Sequence, residues 1–590
     1  MSTVESTFES QNVQPRVWPW LTVETALYTL LGLLALISRL AALGHHPLAA
    51  PEAEQALYAW QSISGSGGQA LVASPLLFGG QTLIFALLGA SDSTARLLPA
   101  LAGVVLVLLP YLLRHRLGRL GALAASTLLL ISPTALFTSR YASGDILLLT
   151  AGLATLAGWV GWVDRRRPAH LYLMAVSAAL AVVSAPGVFT LILALIAALV
   201  SLRLLGLRAF EDGGWVVFRD AWREMLRQPR LVVLCAALFF GVWLLLPTAL
   251  LLHLEAVQSV ADLFPAWVNH LAPWAGDQPW GYALAVLALQ EPLTLVFGLA
   301  GAGLAFRWRD WPGQLLAVWA GVALVLALLA GGRGAGDVLL VVGPLALLGG
   351  KATGAFFENT IGQMRWSQDG LVVGLSVVVA AFFFLQLATY GLRRESNYLW
   401  LAVLALGLGV GLFALYTAWF GRLAGWRGGG LAVLLLLGLV TLSCAMNLAY
   451  HRSHDPRELL VVEATSPNVR DLAAVLEQTS MQRLGATEII PITVEETVGP
   501  VVRWYLRSFR YQTWLSQPVY TAVTSEAVIL PWKSWTPELG AAYFGGDFVV
   551  RTTWQPQNLA WADWVNWLIY RTSPDQLHRE NVVLWLKQQE

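Results

Sequence analysis

The sequence predicts a mostly α-helical, polytopic membrane protein of about thirteen transmembrane helices that ends in a small α/β domain. Three observations carry this. Of the 590 residues, 57% are hydrophobic and only 12% charged, about half the charge of an average soluble domain, and mean hydropathy is +0.61. The apolar residues are gathered into runs of about 20, the length that crosses a bilayer as a helix. Residues 451–590 abandon that pattern for short apolar runs between amphipathic stretches.

The same numbers exclude whole classes. Disordered chains are polar and charged, and one signal peptide does not raise an average over this length. Lys and Arg number 37 against 36 Asp and Glu, a net charge of +1, without the basic excess of a nucleic-acid binder. Cys235 and Cys444 each sit in an apolar run. They supply neither a disulfide framework nor a Cys-based zinc site.

The predicted spans lie near 21–43, 94–113, 120–138, 145–163, 171–186, 188–205, 231–252, 282–305, 314–331, 337–350, 370–391, 399–420 and 429–450. The stretch 171–205 is too long for one crossing, and Ala185-Pro186-Gly187 is a natural turn within it. Residues 1–20 are then an N-terminal tail, and 21–450 a membrane domain. With the N-terminus cytoplasmic, the clusters at Arg114–Arg119, Asp164–Arg167, Arg203–Arg230, Arg307–Arg309, Lys351–Arg365 and Arg422–Arg427 all fall inside, as the positive-inside rule expects. The opposite connections are poor in Lys and Arg except for Arg96, Arg140, Arg333 and the pair Arg393-Arg394, which breaks the rule. Thirteen crossings of the plasma membrane place residues 451–590 on the extracytoplasmic side. In that domain Leu459–Val462, Glu488–Ile490 and Phe548–Val550 read as strands. Ser466 reads as a cap for a helix over Val469–Thr479, and Val498–Phe509 as a second helix. It also holds nine of the 27 Trp residues, which suit core, membrane-interface or sugar-stacking positions.

The connection 44–93 is the longest outer loop of the membrane half. Pro51 suits the first position of a helix, and Glu52 and Glu54 precede the helix-compatible run Ala56-Leu57-Tyr58-Ala59-Trp60. The apolar segment from Ser74-Pro75 to Ala90 is short and Gly-flanked, so it reads as an interfacial helix. Carboxylates beside a bilayer are costly unless solvated or used. Glu52 and Glu54 are therefore either a solvated helix start or a base or metal ligand at the membrane surface. Two further outer links converge on that side: Ser139-Arg140-Tyr141-Ala142-Ser143-Gly144-Asp145, and Gly331-Gly332-Arg333-Gly334. Arg presents a planar donor fork suited to phosphate. The plainer readings are an Arg140–Asp145 ion pair and a snorkelling Arg333. His45 and His46 are adjacent and lack metal-ligand spacing. No Walker A or dinucleotide fingerprint occurs.

Gly89–Gly103 (GASDSTARLLPALAG), Leu117–Ala125, Ile131-Ser132-Pro133 and Ser139-Arg140-Tyr141 with Asp145 resemble the family-39-type branch of the GT-C glycosyltransferases. That branch includes protein mannosyltransferases, lipid A aminoarabinose transferases and a bacterial-archaeal group described as flippase-activity-associated. Ala464–Ala473 (ATSPNVRDLA) and Trp504-Tyr505-Leu506-Arg507 are similar to that group's C-terminal pattern. The resemblance implies a GT-C membrane glycosyltransferase of the cell envelope. It would move a sugar from a polyprenyl-phosphate-linked donor to a glycan, lipid or protein acceptor on the extracytoplasmic face, among membrane lipids. It places the family's Asp-Glu pair at Pro51-Glu52, so that the Glu is kept and the Asp position holds Pro. The family's His-Gly-Pro reads Ala73-Ser74-Pro75, and its Lys-containing loop reads Gly332-Arg333-Gly334. On this reading Glu52 and Asp145 are the catalytic candidates. Arg333, Arg140 and Arg96 are candidates for the donor phosphate. Glu54, Gln55 and Tyr58 are secondary candidates, and a divalent cation is left open. Two alternatives stand beside it: a catalytically inactive GT-C-fold scaffold or handler of lipid-linked glycans, and a secondary transporter. Transporters tend to carry mid-membrane ionisable groups and matched repeats, and no inverted repeat is apparent.

Overall fold

A computed structural model describes residues 22–65, 73–204, 214–276, 278–461, 463–516, 525–533, 537, 539–554, 559–575 and 577–588. The expected tail 1–20 and the glycine run at 66–68 lie outside these residues. A helix stands at each of the thirteen predicted positions. Among the described residues, eight helices are long and apolar enough to cross a membrane, or eleven when each of three bent pairs counts as one span. The expected count of thirteen is therefore not reached. The helices Pro168–Val182 and Val188–Leu204 have 15 and 17 residues. At about 1.5 Å per residue they fall short of a hydrocarbon core about 30 Å thick.

Proline explains the bent pairs. The second halves begin at Pro133, Pro229 and Pro292, with bends of 61°, 92° and 98°. Each ring lacks the N–H and the space that a continuous helix requires. At Pro133 the buried helix start is capped by Ser132, whose Oγ accepts from the Ala135 N–H at 3.1 Å. The Thr134 N–H bonds Glu291 at 2.9 Å. Glu291 lies at the break before Pro292, so two helix breaks meet through one buried carboxylate.

Burial separates the spans. The helices Asp145–Arg165 and Ala335–Thr360 form the centre of the bundle, with 89% of their apolar windows buried, whereas Trp366–Arg393 and Ser396–Phe420 bury 11% of theirs. Apolar surface left exposed this way is solvated by lipid tails, so it needs no protein cover. The rule-breaking pair Arg393-Arg394 also finds its reason here. Arg394 forms an ion pair with Asp563 of the C-terminal region, and Arg393 bonds the Tyr398 hydroxyl at 2.9 Å.

The C-terminal region folds as a six-stranded mixed sheet with helices. Its strands are β1 (Ala464–Thr465), β2 (Ile492–Glu495), β3 (Gln512–Leu515), β4 (Ala527–Pro531), β5 (Tyr543–Thr553) and β6 (His578–Lys587), in the order β1-β5-β6-β4-β2-β3. β2 runs parallel to β3 and β4; the other pairs are antiparallel. Phe548–Val550 lies within β5 as expected. Two expected strands are displaced. Leu459–Val461 form a turn whose Leu460 and Val461 pack into the bundle core, and the strand follows at Ala464; Val462 lies outside the described residues. The second strand begins at Ile492, after Glu488–Ile490. The expected helix Val498–Phe509 shortens to Pro500–Tyr505, because Gly499 at φ 93° and Pro500 start it late.

The loop 44–93 folds as two helices, Ala50–Ser64 and Pro75–Leu88, and shares one core with the sheet region. Leu48, Ala53, Leu57, Phe78 and Phe85 pack with Val469, Leu472 and Trp504. Asp92 fastens this seam: its carboxylate accepts from Trp504 Nε1 at 2.8 Å, Tyr505 Oη at 2.8 Å and Arg470 Nη2 at 2.6 Å. The sequence stretches around 89–103, 464–473 and 504–507 that carry the family resemblance thus meet in space.

Candidate active site

Between the bundle and the sheet lies a cavity of about 1840 Å³. Loop 44–93, the link 137–145, the turn 332–337 and strands β1, β5 and β6 all contribute to its wall.

On the first-loop wall, Glu52 is 1% exposed. Its Oε1 accepts from Arg96 Nε at 2.7 Å and the Ala142 N–H at 2.7 Å. Its Oε2 accepts from Arg96 Nη2 at 2.6 Å and the Ala49 N–H at 2.9 Å. A carboxylate offers about four lone-pair positions, and all are engaged. Arg96 is equally committed. Besides Glu52 it bonds the carbonyls of Leu43 at 3.2 Å, His46 at 2.9 Å and Pro47 at 3.0 Å, which uses its five N–H donors. The pair ties the Ala50–Ser64 helix to the bundle, with no lone pair for an acceptor's proton and no donor for a phosphate. The roles expected for Glu52 and Arg96, base and phosphate ligand, would require this pair to open.

Arg140 is also occupied. It bonds the carbonyls of Ser38 and Arg39 at 3.2 Å, Ala41 at 2.7 Å and Ala42 at 3.2 Å. These carbonyls lie at and just beyond the end of the Val23–Leu40 helix, where acceptors lack intrahelical partners. The Arg140–Asp145 ion pair accordingly does not form among the described residues. The secondary candidates sit off the cavity: Tyr58 bonds exposed Glu54 at 3.1 Å, and Gln55 donates to the Ser74 carbonyl at 3.2 Å.

A second wall differs. Asp145 opens the Asp145–Arg165 helix and receives a bond from Ser143 Oγ at 3.0 Å. Its carboxylate lies against Gly336, where a Cβ would come within 2.6–2.8 Å of it. Arg333 bonds the carbonyls of Gln278 at 2.7 Å and Leu328 at 3.1 Å, and its Nε is buried without a partner among the described residues. The turn that carries it is rich in glycine, which by itself suggests looseness, yet it is tightly packed. A Cβ at Gly331 would lie 1.8 Å from the Ala272 carbonyl, and one at Gly332 would lie 2.8 Å from His270 Nδ1. The glycines serve close backbone approach.

Three cavity residues escape the sequence reading. His270 Nε2 lies 3.0 and 3.1 Å from the two oxygens of Asp337, and Asp337 also accepts from the Gly334 N–H at 3.0 Å. The bond to Asp337 holds the His270 pKa above its ordinary value, with the charges of Asp337 and Asp145 adding to it. Tyr282 is 2% exposed and its hydroxyl has no partner among the described residues. His270 and Asp337 stand 67 positions apart, so local patterning does not join them. The readable signal is Asp337 itself, three residues after Gly334 at a helix start, where a carboxylate closes the first turn. At the cavity mouth His46 stacks on His454 with ring centroids 4.6 Å apart, and burial pushes its pKa down to about 4. Among the described residues no group of three or more His, Cys, Asp or Glu side chains is placed to hold a metal ion. Pro51 also lines the cavity.

Residues 73–211 match the family model of dolichyl-phosphate-mannose-protein mannosyltransferases. The fold is similar to that of ArnT from Cupriavidus metallidurans bound to undecaprenyl phosphate, with a TM-score of 0.54 and 17% identity over 83% of this chain and 85% of that one. The apo state of the same ArnT gives 0.52 and 16%, over 84% and 87%. No curated protein matches the sequence significantly. The chain is thus similar to the mannosyltransferase family in sequence over residues 73–211, and to ArnT in fold over most of its length.

Proposed function

We propose that the protein moves a sugar from a polyprenyl-phosphate-linked donor to an acceptor at the extracytoplasmic face of the membrane. One observation carries this reading: Asp145 and Arg333 line the same cavity with unused bonding capacity. Gly336, the residue against Asp145, follows Arg333 by three positions, so at most about 11 Å of backbone lies between them. The acceptor oxygen attacks the anomeric carbon while the bond from that carbon to the phosphate oxygen breaks. The acceptor's proton passes to the Asp145 carboxylate, as general-base catalysis requires. The electron pair of the broken bond leaves on the lipid phosphate, where the Arg333 guanidinium meets the growing charge. The His270–Asp337 pair fixes the turn that aims Arg333. The distribution of arginines supports a cytoplasmic N-terminus and an extracytoplasmic sheet domain. Labelling of a Ser466→Cys variant in intact cells by a membrane-impermeant thiol reagent is the expected result; labelling only after lysis reverses the orientation.

Pro51 favours a second reading. It stands on the cavity wall, at the position where the sequence resemblance implies a carboxylate, beside a Glu52 whose lone pairs are engaged. A GT-C protein built this way could bind a lipid-linked glycan without transferring it. Purified protein in nanodiscs, given radiolabelled polyprenyl-phosphate sugar and a membrane extract as acceptor source, separates the two. Transfer by the native chain supports the transferase. Binding of undecaprenyl phosphate without transfer, together with transfer gained by Pro51→Asp, establishes the second reading instead. A chelator added to the same assay tests the divalent cation.

A further inference from the structure

The cavity is larger than one small ligand needs. Small-molecule sites occupy roughly 300–1,000 Å³, and this one has about 1840 Å³. Besides the first-loop wall and the Asp145–Arg333 wall, the sheet domain supplies a third side. There Glu463, Arg551, Trp554, Trp564, His578 and Glu580 line the cavity. Arg551, on β5, is a three-way fork. Its Nε and Nη2 reach Glu580 at 2.9 and 2.5 Å, and its Nη1 reaches Glu463 at 3.0 Å. The two carboxylates remain 47% and 37% exposed, so they are fixed in place yet keep lone pairs for a ligand. Beside them is an aromatic group. Trp554 stacks on Trp567 with centroids 5.7 Å apart, and Trp564 meets both edge-on. Trp567 is buried and donates to the Arg457 carbonyl at 3.0 Å, so it serves as backing. The Trp554 Nε1 is buried and has no partner among the described residues, a donor left for a ligand at the cavity edge.

The chemistry of this wall discriminates among ligands. Indole faces stack on the C–H faces of pyranose rings, and fixed carboxylate–guanidinium networks hold vicinal hydroxyls. An acyl chain finds three charged groups here in place of an apolar groove. A polyanion finds two carboxylates for one arginine. The Trp residues that suit a membrane interface are different ones: Trp561, 68% exposed, shares the outer face of its helix with exposed Leu568.

We propose that the wall formed by Arg551, Glu463, Glu580 and Trp554 is a subsite for a neutral carbohydrate, which in the transfer reaction is the acceptor glycan. The last clause rests on the transferase reading; the subsite itself does not. The subsite presents a glycan hydroxyl to the cavity that Asp145 also lines.

Saturation-transfer-difference NMR on the full chain in nanodiscs tests it. The probes are two neutral trisaccharides, mannotriose and N-acetylchitotriose, and a Ser/Thr-rich hexapeptide. At least one saccharide should show transfer to its ring protons. Trp554→Ala and Arg551→Ala should reduce that signal about 10-fold, as expected when a stacking face or a charge-assisted bond is lost, and Trp554→Phe should restore part of it. Binding of undecaprenyl phosphate should be unchanged in all three variants, which also shows that they fold. Absence of any saccharide signal in the native chain overturns the proposal. So does a signal indifferent to Trp554 and Arg551, and so does binding of the peptide alone. A Trp554-dependent saccharide signal in a protein that transfers nothing sinks the transferase reading and leaves the subsite. Sugar transfer without any saccharide signal does the reverse.

Discussion

The first-loop wall and the turn wall of the cavity each carry an acid and an arginine, yet they are built on opposite principles. On the first-loop wall Glu52 and Arg96 satisfy each other and every remaining group with backbone donors and carbonyls. On the turn wall, among the described residues, Asp145 has one side-chain partner, Arg333 keeps a buried Nε without one, and Tyr282 has a free hydroxyl. A buried ion pair with all its bonds made is a structural tie, and removing one partner strands the other's charge. Groups with bonding capacity left over are the ones a substrate can recruit. Proximity to a cavity therefore does not make a carboxylate a base; unused lone pairs do.

Breaking the tie should give the largest effect. Arg96→Ala leaves Glu52 buried without its cation, and thermal unfolding in detergent should show a loss of about 3–5 kcal/mol. A variant as stable as the native chain would mean that the pair is not what holds the loop to the bundle.

On the other wall the effect should appear in binding. Arg333→Ala should weaken affinity for undecaprenyl phosphate by about 10- to 150-fold, the equivalent of one charge-assisted bond of roughly 1.5–3 kcal/mol. Arg333→Lys should also weaken it, because a point charge does not reproduce the planar fork. Affinity unchanged in both would reduce Arg333 to a cap on the Trp311–Leu329 helix.

The smallest effect should be a pH dependence. Asp337 and Asp145 face His270, and its folded-state pKa is raised above an unfolded value of about 6.5. The stabilisation from the charged pair is then complete below about pH 6.5 and lost as pH rises through the folded value. Donor affinity should decline over the same window, and His270→Gln should flatten the curve. A native curve that is already flat would detach the pair from the turn.

The sequence reveals the spans because each needs about 20 apolar residues in one place. It also contains the breaks, at Pro133, Pro229 and Pro292. It does not reveal which acids are paired. Glu52 meets Arg96 across 44 positions, and a helix-start glutamate looks the same whether tied or free. The glycine turn misleads for a related reason: Gly331, Gly332 and Gly336 read as flexibility, whereas their neighbours in space, Ala272, His270 and Asp145, make them points of contact. The C-terminal strands are displaced because Leu460 and Val461, apolar enough for a strand, are buried against the bundle instead.

The central claim is that Asp145, not Glu52, receives the acceptor's proton. It is tested most directly by single-turnover sugar transfer in Asp145→Asn, with thermal unfolding and undecaprenyl-phosphate binding measured on the same preparation. The expected result is a 10²- to 10⁴-fold slower transfer, the usual cost of losing a general base, with folding and lipid binding intact. Transfer at the native rate in Asp145→Asn would contradict the account.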